Sequence, residues 1–139
     1  MDRKRLQQVL EAALAESPQA KQECALTILL VADAESQRLH GEHFNDPTPT
    51  DVMTFPDGSL DPVNGRWSLG DLAVGVAVAA REAAARDLAT DEELTLYILH
   101  GLLHLLGYDD TTPAQLRRMW AAQRRLLAAV GIIIAVHPS

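Results

Sequence analysis

The chain has 139 residues, 47% of them hydrophobic and 22% charged, which is typical of a single globular domain with one core. Its formal net charge of -7 argues against a protein that coats nucleic acid through nonspecific attraction to phosphates, while leaving room for a short nucleic-acid segment in a local cleft. Cys24 is the only cysteine, so we expect no disulfide framework and a reducing compartment. The N-terminus is charged without an apolar signal core, and the apolar runs are too short to cross a bilayer; both features predict a cytoplasmic protein.

The first third of the chain predicts two helices around one strand. Residues 3–16 have the apolar spacing of an amphipathic helix. Residues 25–32 are continuously apolar, and we expect them to form a strand that is buried on both faces. A short polar helix is predicted over residues 33–44, and a loop with two prolines over residues 45–49.

The middle of the chain predicts two more strands and a third helix. Residues 51–55 form a short strand that a Pro-Asp-Gly turn closes, and turn residues follow it. Residues 69–78 predict a strand that runs into a helix over residues 79–88. Strands mixed with helices, and few hairpin signals between them, favour an α/β or α+β layer fold.

Two capping boxes predict the last two helices. Thr90 and Glu93 can satisfy each other's backbone groups and open a helix over residues 91–106, which stops at a glycine. Thr112 and Gln115, with proline at the first helical position, open a final helix that runs to about residue 130.

The strongest chemical signal lies at the end of the first of these two helices. His100 and His104 are four residues apart and therefore share a helix face, where two imidazoles can bind one metal ion. Gly107 can adopt a left-handed conformation, which ends the helix and lets Asp110 return to the same ion. Two histidines and one carboxylate leave a position open, as in catalytic zinc sites, so we expect one divalent ion of the zinc type.

The neighbouring residues limit the chemistry of this predicted metal site. Zinc peptidases have a glutamate general base directly after the first histidine, and here that position is Gly101. A standard zinc peptidase is therefore disfavoured. Asp109 is an alternative third ligand to Asp110.

The segment from His100 to Asp110 resembles the signature HGxLHLxGYDH of the YbeY endoribonucleases and differs from it at the last position. Residues 49–56 (PTDVMTFP) are similar to the family's PTDVLSFP, and residues 69–72 (LGDL) to its LGDI. The resemblance covers roughly residues 25–125, and we expect one domain over residues 1–139.

This resemblance implies an α+β fold with a small mixed, mostly parallel sheet beside several helices, and a metal site at the end of a central helix. It implies a metal-dependent endoribonuclease specific for single strands, acting in 16S ribosomal RNA 3′ end maturation and ribosome quality control. The implied partners are single-stranded ribosomal RNA and the small ribosomal subunit or its assembly factors, with no membrane and no DNA.

Two positions depart from the family pattern. The third ligand is histidine in the family and Asp110 here. Residues 39–44 (LHGEHF) occupy a block that usually reads LN-x-x-Y-R, so Phe44 stands where the family has an arginine implicated in activity, and that role does not carry over.

Other polar residues have two interpretations each. Asp51 and Asp71 either orient a ligand histidine or only bond local backbone at a strand start. His40 and His43 are expected in solvent, although His40 could line the cleft. Four arginines repeat at seven-residue spacing on the last helix and form either an RNA-binding stripe or a solvated face: Arg117, Arg118, Arg124 and Arg125.

Besides the endoribonuclease hypothesis, the sequence leaves two alternatives open. One is a metal hydrolase of another substrate class, and the other is a ribosome-assembly binding protein in which the metal is structural. Incubation with single-stranded and duplex RNA, with and without a chelator, would separate the three.

Overall fold

The computed structural model describes residues 2–17, 24–44, 51–60, 62–63 and 65–134. The helices and strands that these residues form are, in chain order, α1 (Arg3–Ala15), β1 (Cys24–Val31), α2 (Asp33–Phe44), β2 (Val52–Pro56), β3 (Trp67–Gly75), α3 (Val76–Arg86), α4 (Thr90–Leu105) and α5 (Pro113–Ala128). The predicted α+β class is confirmed. The predicted loop over residues 45–49 and the side chain of Phe44 lie outside the described part of the chain.

The strands form one mixed sheet in the order β1-β3-β2. β1 runs parallel to β3, from Cys24 opposite Trp67 to Val31 opposite Gly75, and β2 runs antiparallel to β3 on its other side. A side chain on Gly70 would collide with the carbonyl oxygen of Phe55, so this central strand needs glycine to pair closely with β2.

Helix α4 covers one face of the sheet and forms the centre of the fold. Leu72 and Val74 of β3 are fully buried in the same core as Ile98 and Leu102 of α4. Helices α1, α3 and α5 pack on the remaining sides of α4. A Cβ on Gly101 would lie 2.8 Å from Leu72 Cδ2, which shows how closely the helix approaches the sheet.

The prediction that the first strand is buried on both faces is wrong. Leu29 and Leu30 are each 51% exposed, whereas Leu26 and Ile28 pack against the main core. β1 lies at the edge of the sheet, where the main core contacts only Leu26 and Ile28 of this strand and the second cluster contacts only Val31. Continuous apolarity therefore indicated a strand here without indicating how deeply it is buried.

Two predicted helix starts also change. The third strand ends at Gly75, and α3 begins at Val76 instead of residue 79. Helix α4 has Ala89 at its N-cap, and the Glu92 side chain accepts a hydrogen bond from the Ala89 backbone N–H at 3.1 Å. The predicted pairing of Thr90 with Glu93 is therefore wrong by one residue, because Glu93 points into the core.

The second capping box is confirmed. The Gln115 backbone N–H donates to Thr112 Oγ1 at 3.2 Å, and the Thr112 N–H donates to Gln115 Oε1 at 3.1 Å. This reciprocal pair fixes the start of α5 directly after the segment that carries Asp110. None of the helices in the described ranges is both long and apolar enough to cross a membrane.

Candidate metal centre

The two histidines of α4 lie side by side at the surface of the core. His100 Nε2 and His104 Nε2 are 3.1 Å apart, and their side chains are 23% and 26% exposed. The neighbouring positions Gly101, Leu102 and Leu103 are buried, so the helix is anchored on one side and presents the imidazoles on the other. The predicted shared face is therefore present.

Gly107 returns the chain toward these histidines. Its φ is 101°, as the sequence predicted, and its N–H donates to the carbonyl of His104 at 3.1 Å. The Tyr108 N–H donates to the carbonyl of Leu103 at 2.9 Å, which completes a Schellman motif. Asp110 Oδ2 thereby lies 3.4 Å from His104 Nε2 and 4.0 Å from His100 Nε2.

His100, His104 and Asp110 fit a divalent metal ion. One ligand atom from each of the three lies within 4.8 Å of the others. Two imidazole nitrogens and a carboxylate oxygen are donors that zinc and similar ions accept. Asp109 is outside this group, and its Oδ1 accepts the backbone N–H of Asp110 at 2.8 Å.

A residue that the sequence did not single out contacts the Nδ1 atom of the first histidine. Gln123 of α5 is fully buried, and its Oε1 lies 2.6 Å from His100 Nδ1. Burial lowers the pKa of His100, the hydrogen bond to Gln123 opposes this shift, and the charge of His104 adds to it. The sequence feature that could have indicated Gln123 is that it is the amide on the otherwise apolar inner face of α5.

Two cavities border His100. One of about 200 Å³ is lined by His40, Asp51, His100 and His104, among others. The other, of about 240 Å³, is lined by Asp51, His100 and Asp110 together with Arg86. Asp51 borders both cavities, and its Oδ1 also accepts the backbone N–H of Val52 at 2.7 Å.

The remaining candidates from the sequence divide into two groups. His40 lines the cleft, which was the less favoured interpretation, whereas the ring of His43 is exposed and packs edge-on against Phe55 at 5.0 Å. Asp71 is exposed on the face of β3 opposite Leu72, away from the α4 histidines. Only Asp51 of the two strand aspartates therefore borders the candidate metal centre.

The arginines of α5 are exposed, as both interpretations of the stripe require. Arg125 binds the Glu16 carboxylate with both terminal nitrogens, at 2.6 and 2.7 Å, and this hydrogen bonding lowers the pKa of Glu16. Arg118 borders a cavity beside Gly107 and Tyr108. All four arginines of the stripe therefore lie on the surface, and Arg125 is engaged in a salt bridge there.

A buried ion pair supports the wall of the larger cavity. Glu93 is fully buried, and its Oε1 lies 3.4 Å from Arg86 Nη1. Burial raises the pKa of Glu93, and the charge of Arg86 opposes that rise. Because Arg86 also lines the cavity, the pair places a guanidinium group beside the candidate metal centre.

The fold and this cluster define a small α+β domain with a candidate metal centre of two histidines and one aspartate. The chain belongs to the family described as Endoribonuclease YbeY, whose model matches residues 1–131. This confirms the resemblance found in the sequence motifs.

Individual relatives agree with the family match. A protein from Kineococcus radiotolerans named Endoribonuclease YbeY is 45% identical over 107 residues, covering 73% of this chain and 62% of the relative. A protein of the same name from Halorhodospira halophila is 40% identical over 109 residues, covering 77% of this chain and 71% of the relative. The chain spans about three fifths of the length of the first curated relatives, and 58% of the length of a protein from Bifidobacterium longum.

A solved structure supports the fold independently. The solution structure of a Thermotoga maritima protein has a TM-score of 0.63 and 24% sequence identity, and the match covers 91% of this chain and 79% of that chain. At this identity the likeness concerns the architecture alone.

Proposed function

We propose that this chain is a metal-dependent endoribonuclease that cleaves single-stranded RNA. The observation that carries the proposal is the convergence of His100, His104 and Asp110 at the border of two open cavities, in a chain of the Endoribonuclease YbeY family. We further propose that it acts in the cytoplasm, in 16S ribosomal RNA 3′ end maturation and in ribosome quality control. Its partners would be the small ribosomal subunit or its assembly factors, and it would bind neither DNA nor a membrane.

The metal ligands in this proposal are His100, His104 and Asp110, and the ion is of the zinc type. When bound, a divalent ion supplies Lewis-acid stabilisation to a phosphoryl oxygen. The depressed pKa of His100 keeps its imidazole neutral at physiological pH, so its lone pair is available to a metal. Asp110 contributes a single negative charge, which leaves a divalent site with net positive charge to attract a phosphate.

The residues around the ligands are our candidates for binding the RNA and for exchanging protons with it. Arg86 lines the larger cavity, and its guanidinium, which is paired with Glu93, is our candidate for contacting a backbone phosphate in a chain whose net charge is -7. Asp51 borders both cavities and is our candidate for exchanging protons with the substrate. We expect the cavities of about 200 and 240 Å³ that border His100 to favour an unpaired strand, because single-stranded RNA can turn its bases into pockets whereas a duplex keeps them paired.

The proposal is tested with the purified chain, loaded with zinc or stripped by a chelator, on matched single-stranded and duplex RNAs. We expect endonucleolytic cleavage of the single strand only, loss of cleavage on chelation, and recovery when zinc is returned. The His104→Ala variant serves as the control against a contaminating nuclease. An Asp51→Asn variant should keep zinc and lose most of its turnover.

The outcomes separate the alternatives that the sequence left open. A protein that retains zinc and binds RNA without cutting it would be a ribosome-assembly binding protein with a structural metal. A protein that hydrolyses small esters or peptides and leaves every RNA intact would be a hydrolase of another class. Cleavage that persists at full rate in His104→Ala would show that the metal centre is not the active site.

A further inference from the structure

We propose that Gln123 is a positioning residue of the metal centre. Its buried amide oxygen holds His100 in the tautomer whose Nε2 lone pair faces His104 and Asp110. The inference rests on the proposed metal site, and it adds a residue from a different helix, 23 positions away in the chain, to the parts that the site needs.

The geometry determines which ring nitrogen carries the proton. The His100 Nδ1 to Gln123 Oε1 distance is 2.6 Å, and an amide oxygen can only accept a hydrogen bond. With Oε1 facing the ring, His100 Nδ1 carries the proton and donates it to Gln123. In the neutral imidazole the second nitrogen, Nε2, then has its lone pair free, and this is the atom that lies 3.1 Å from His104 Nε2.

The amide nitrogen of Gln123 argues against a purely structural role for this residue. Gln123 Nε2 is buried and has no hydrogen-bond partner among the described residues. A buried donor without a partner destabilises the folded state, and an apolar side chain of the same shape would remove that cost. A glutamine at this position in spite of that cost is what we expect of a residue that serves the site.

The choice of an amide also affects the charge of the site. Ligand histidines commonly donate their second N–H to a carboxylate, a backbone carbonyl or water. A neutral amide orients His100 as these do, without adding a second negative charge to the one that Asp110 already brings. The ion can therefore keep a net positive charge toward an anionic substrate.

The test compares Gln123→Met with Thr95→Val. Methionine matches the length of glutamine, and its thioether sulfur is only a weak hydrogen-bond acceptor in place of the amide oxygen. Thr95 is equally buried, on the helix that carries the ligands, and its hydroxyl donates to the carbonyl of Asp91 at 2.8 Å, away from the metal centre. Zinc affinity is measured by competition with a chelating dye, and the stability of the metal-free proteins by urea unfolding.

We expect Gln123→Met to bind zinc about 10- to 100-fold more weakly, the usual effect of losing such a hydrogen bond. Its metal-free stability should change little, because the variant removes the unpartnered donor Gln123 Nε2 and at the same time leaves His100 Nδ1 without its acceptor. Thr95→Val should lose stability and keep its zinc affinity. Gln123→Glu, which can still accept from His100 Nδ1, should recover most of the affinity above neutral pH. Gln123→Met with undiminished affinity, or with a loss that Gln123→Glu does not restore, would overturn the proposal.

A measurement on the unmodified chain needs no variant. Nitrogen NMR of the metal-free protein labelled at histidine reports the tautomer of His100, and we expect the proton on Nδ1. A proton on Nε2 would overturn the role of Gln123 even if zinc binds tightly. An unmodified chain that binds no zinc would refute the proposed metal site, and this result is distinct from tight zinc binding that is indifferent to Gln123.

Discussion

Gly107 offers the sharpest test of how this fold builds its candidate metal centre. The glycine has a φ of 101°, in the left-handed region that side chains disfavour, and the reversal that it makes brings Asp110 to 3.4 Å from His104 Nε2. A Gly107→Val variant alters no ligand. It should nonetheless weaken metal binding, because valine strains the turn that delivers Asp110.

The expected size follows from the backbone strain. A non-glycine residue in this region costs about 1–3 kcal/mol, toward the upper end for a β-branched side chain. If the metal-free variant relaxes by moving the turn, metal binding must restore the strained form. The affinity then falls by up to the same free energy, which is about 5- to 150-fold.

Gly131 provides a matched control at the end of the next helix. Its φ is 84°, and the Ile132 N–H donates to the carbonyl of Leu127 at 3.0 Å, the same hydrogen bond that Tyr108 makes to Leu103. A Cβ at Gly131 would have nothing within 4 Å. Gly131→Val should therefore lose stability comparable to Gly107→Val and leave zinc affinity unchanged.

A double-mutant cycle completes the design, with zinc affinity measured by dye competition and stability by urea unfolding. In an Asp110→Ala background, Gly107→Val should add little further loss of affinity, because the turn no longer delivers a ligand. If Gly107→Val binds zinc as tightly as the unmodified chain and loses only stability, the glycine merely ends the helix, and our account of the turn is wrong.

Three further predictions address other parts of the site. Asp110→Ala should lower zinc affinity at least about tenfold in calorimetric titration, while Asp110→His should retain binding; equal affinity in all three proteins would exclude Asp110 as a ligand. Arg117→Glu combined with Arg124→Glu should weaken RNA binding most at low salt, and affinity that is unchanged across salt would leave the stripe a solvated face. Burial depresses the pKa of His100 below its usual 6.5, so the unfolded state takes up its proton first. Metal-free stability in urea should therefore fall as pH drops below about 6.5 toward the folded-state pKa, and His100→Asn should lack this component.

The part of the site that the sequence predicted is the part that local geometry determines. The spacing of His100 and His104 on a helix, and a glycine that reverses the chain toward Asp110, depend on contacts within eleven residues. Helical periodicity and backbone sterics suffice for these. Gln123 and Arg86 come from other helices, and no local pattern indicates which residue of α5 or α3 will face the histidines.

Glu93 shows the same limit in a different way. Its sequence context, three residues after a threonine and before an apolar run, is typical of a capping box. The cap moved by one residue to Ala89 and Glu92, and Glu93 lies in the core 3.4 Å from Arg86. A shift of one position rotates a side chain by about 100° around the helix. A difference of one residue in the predicted cap therefore decides whether Glu93 lies at the surface or forms a buried ion pair.

Gly101 connects the packing of the fold to the chemistry that the site can perform. In zinc peptidases this position carries the glutamate base, but here a Cβ would lie 2.8 Å from Leu72 Cδ2 and 3.3 Å from Val52 Cγ2. A side chain at position 101 would therefore need Leu72 and Val52 to move at the contact between α4 and the sheet. Because the position directly after His100 belongs to the interface between helix and sheet, a carboxylate that exchanges protons with the substrate must come from another element. Asp51, directly before β2 and at the border of both cavities, occupies such a position.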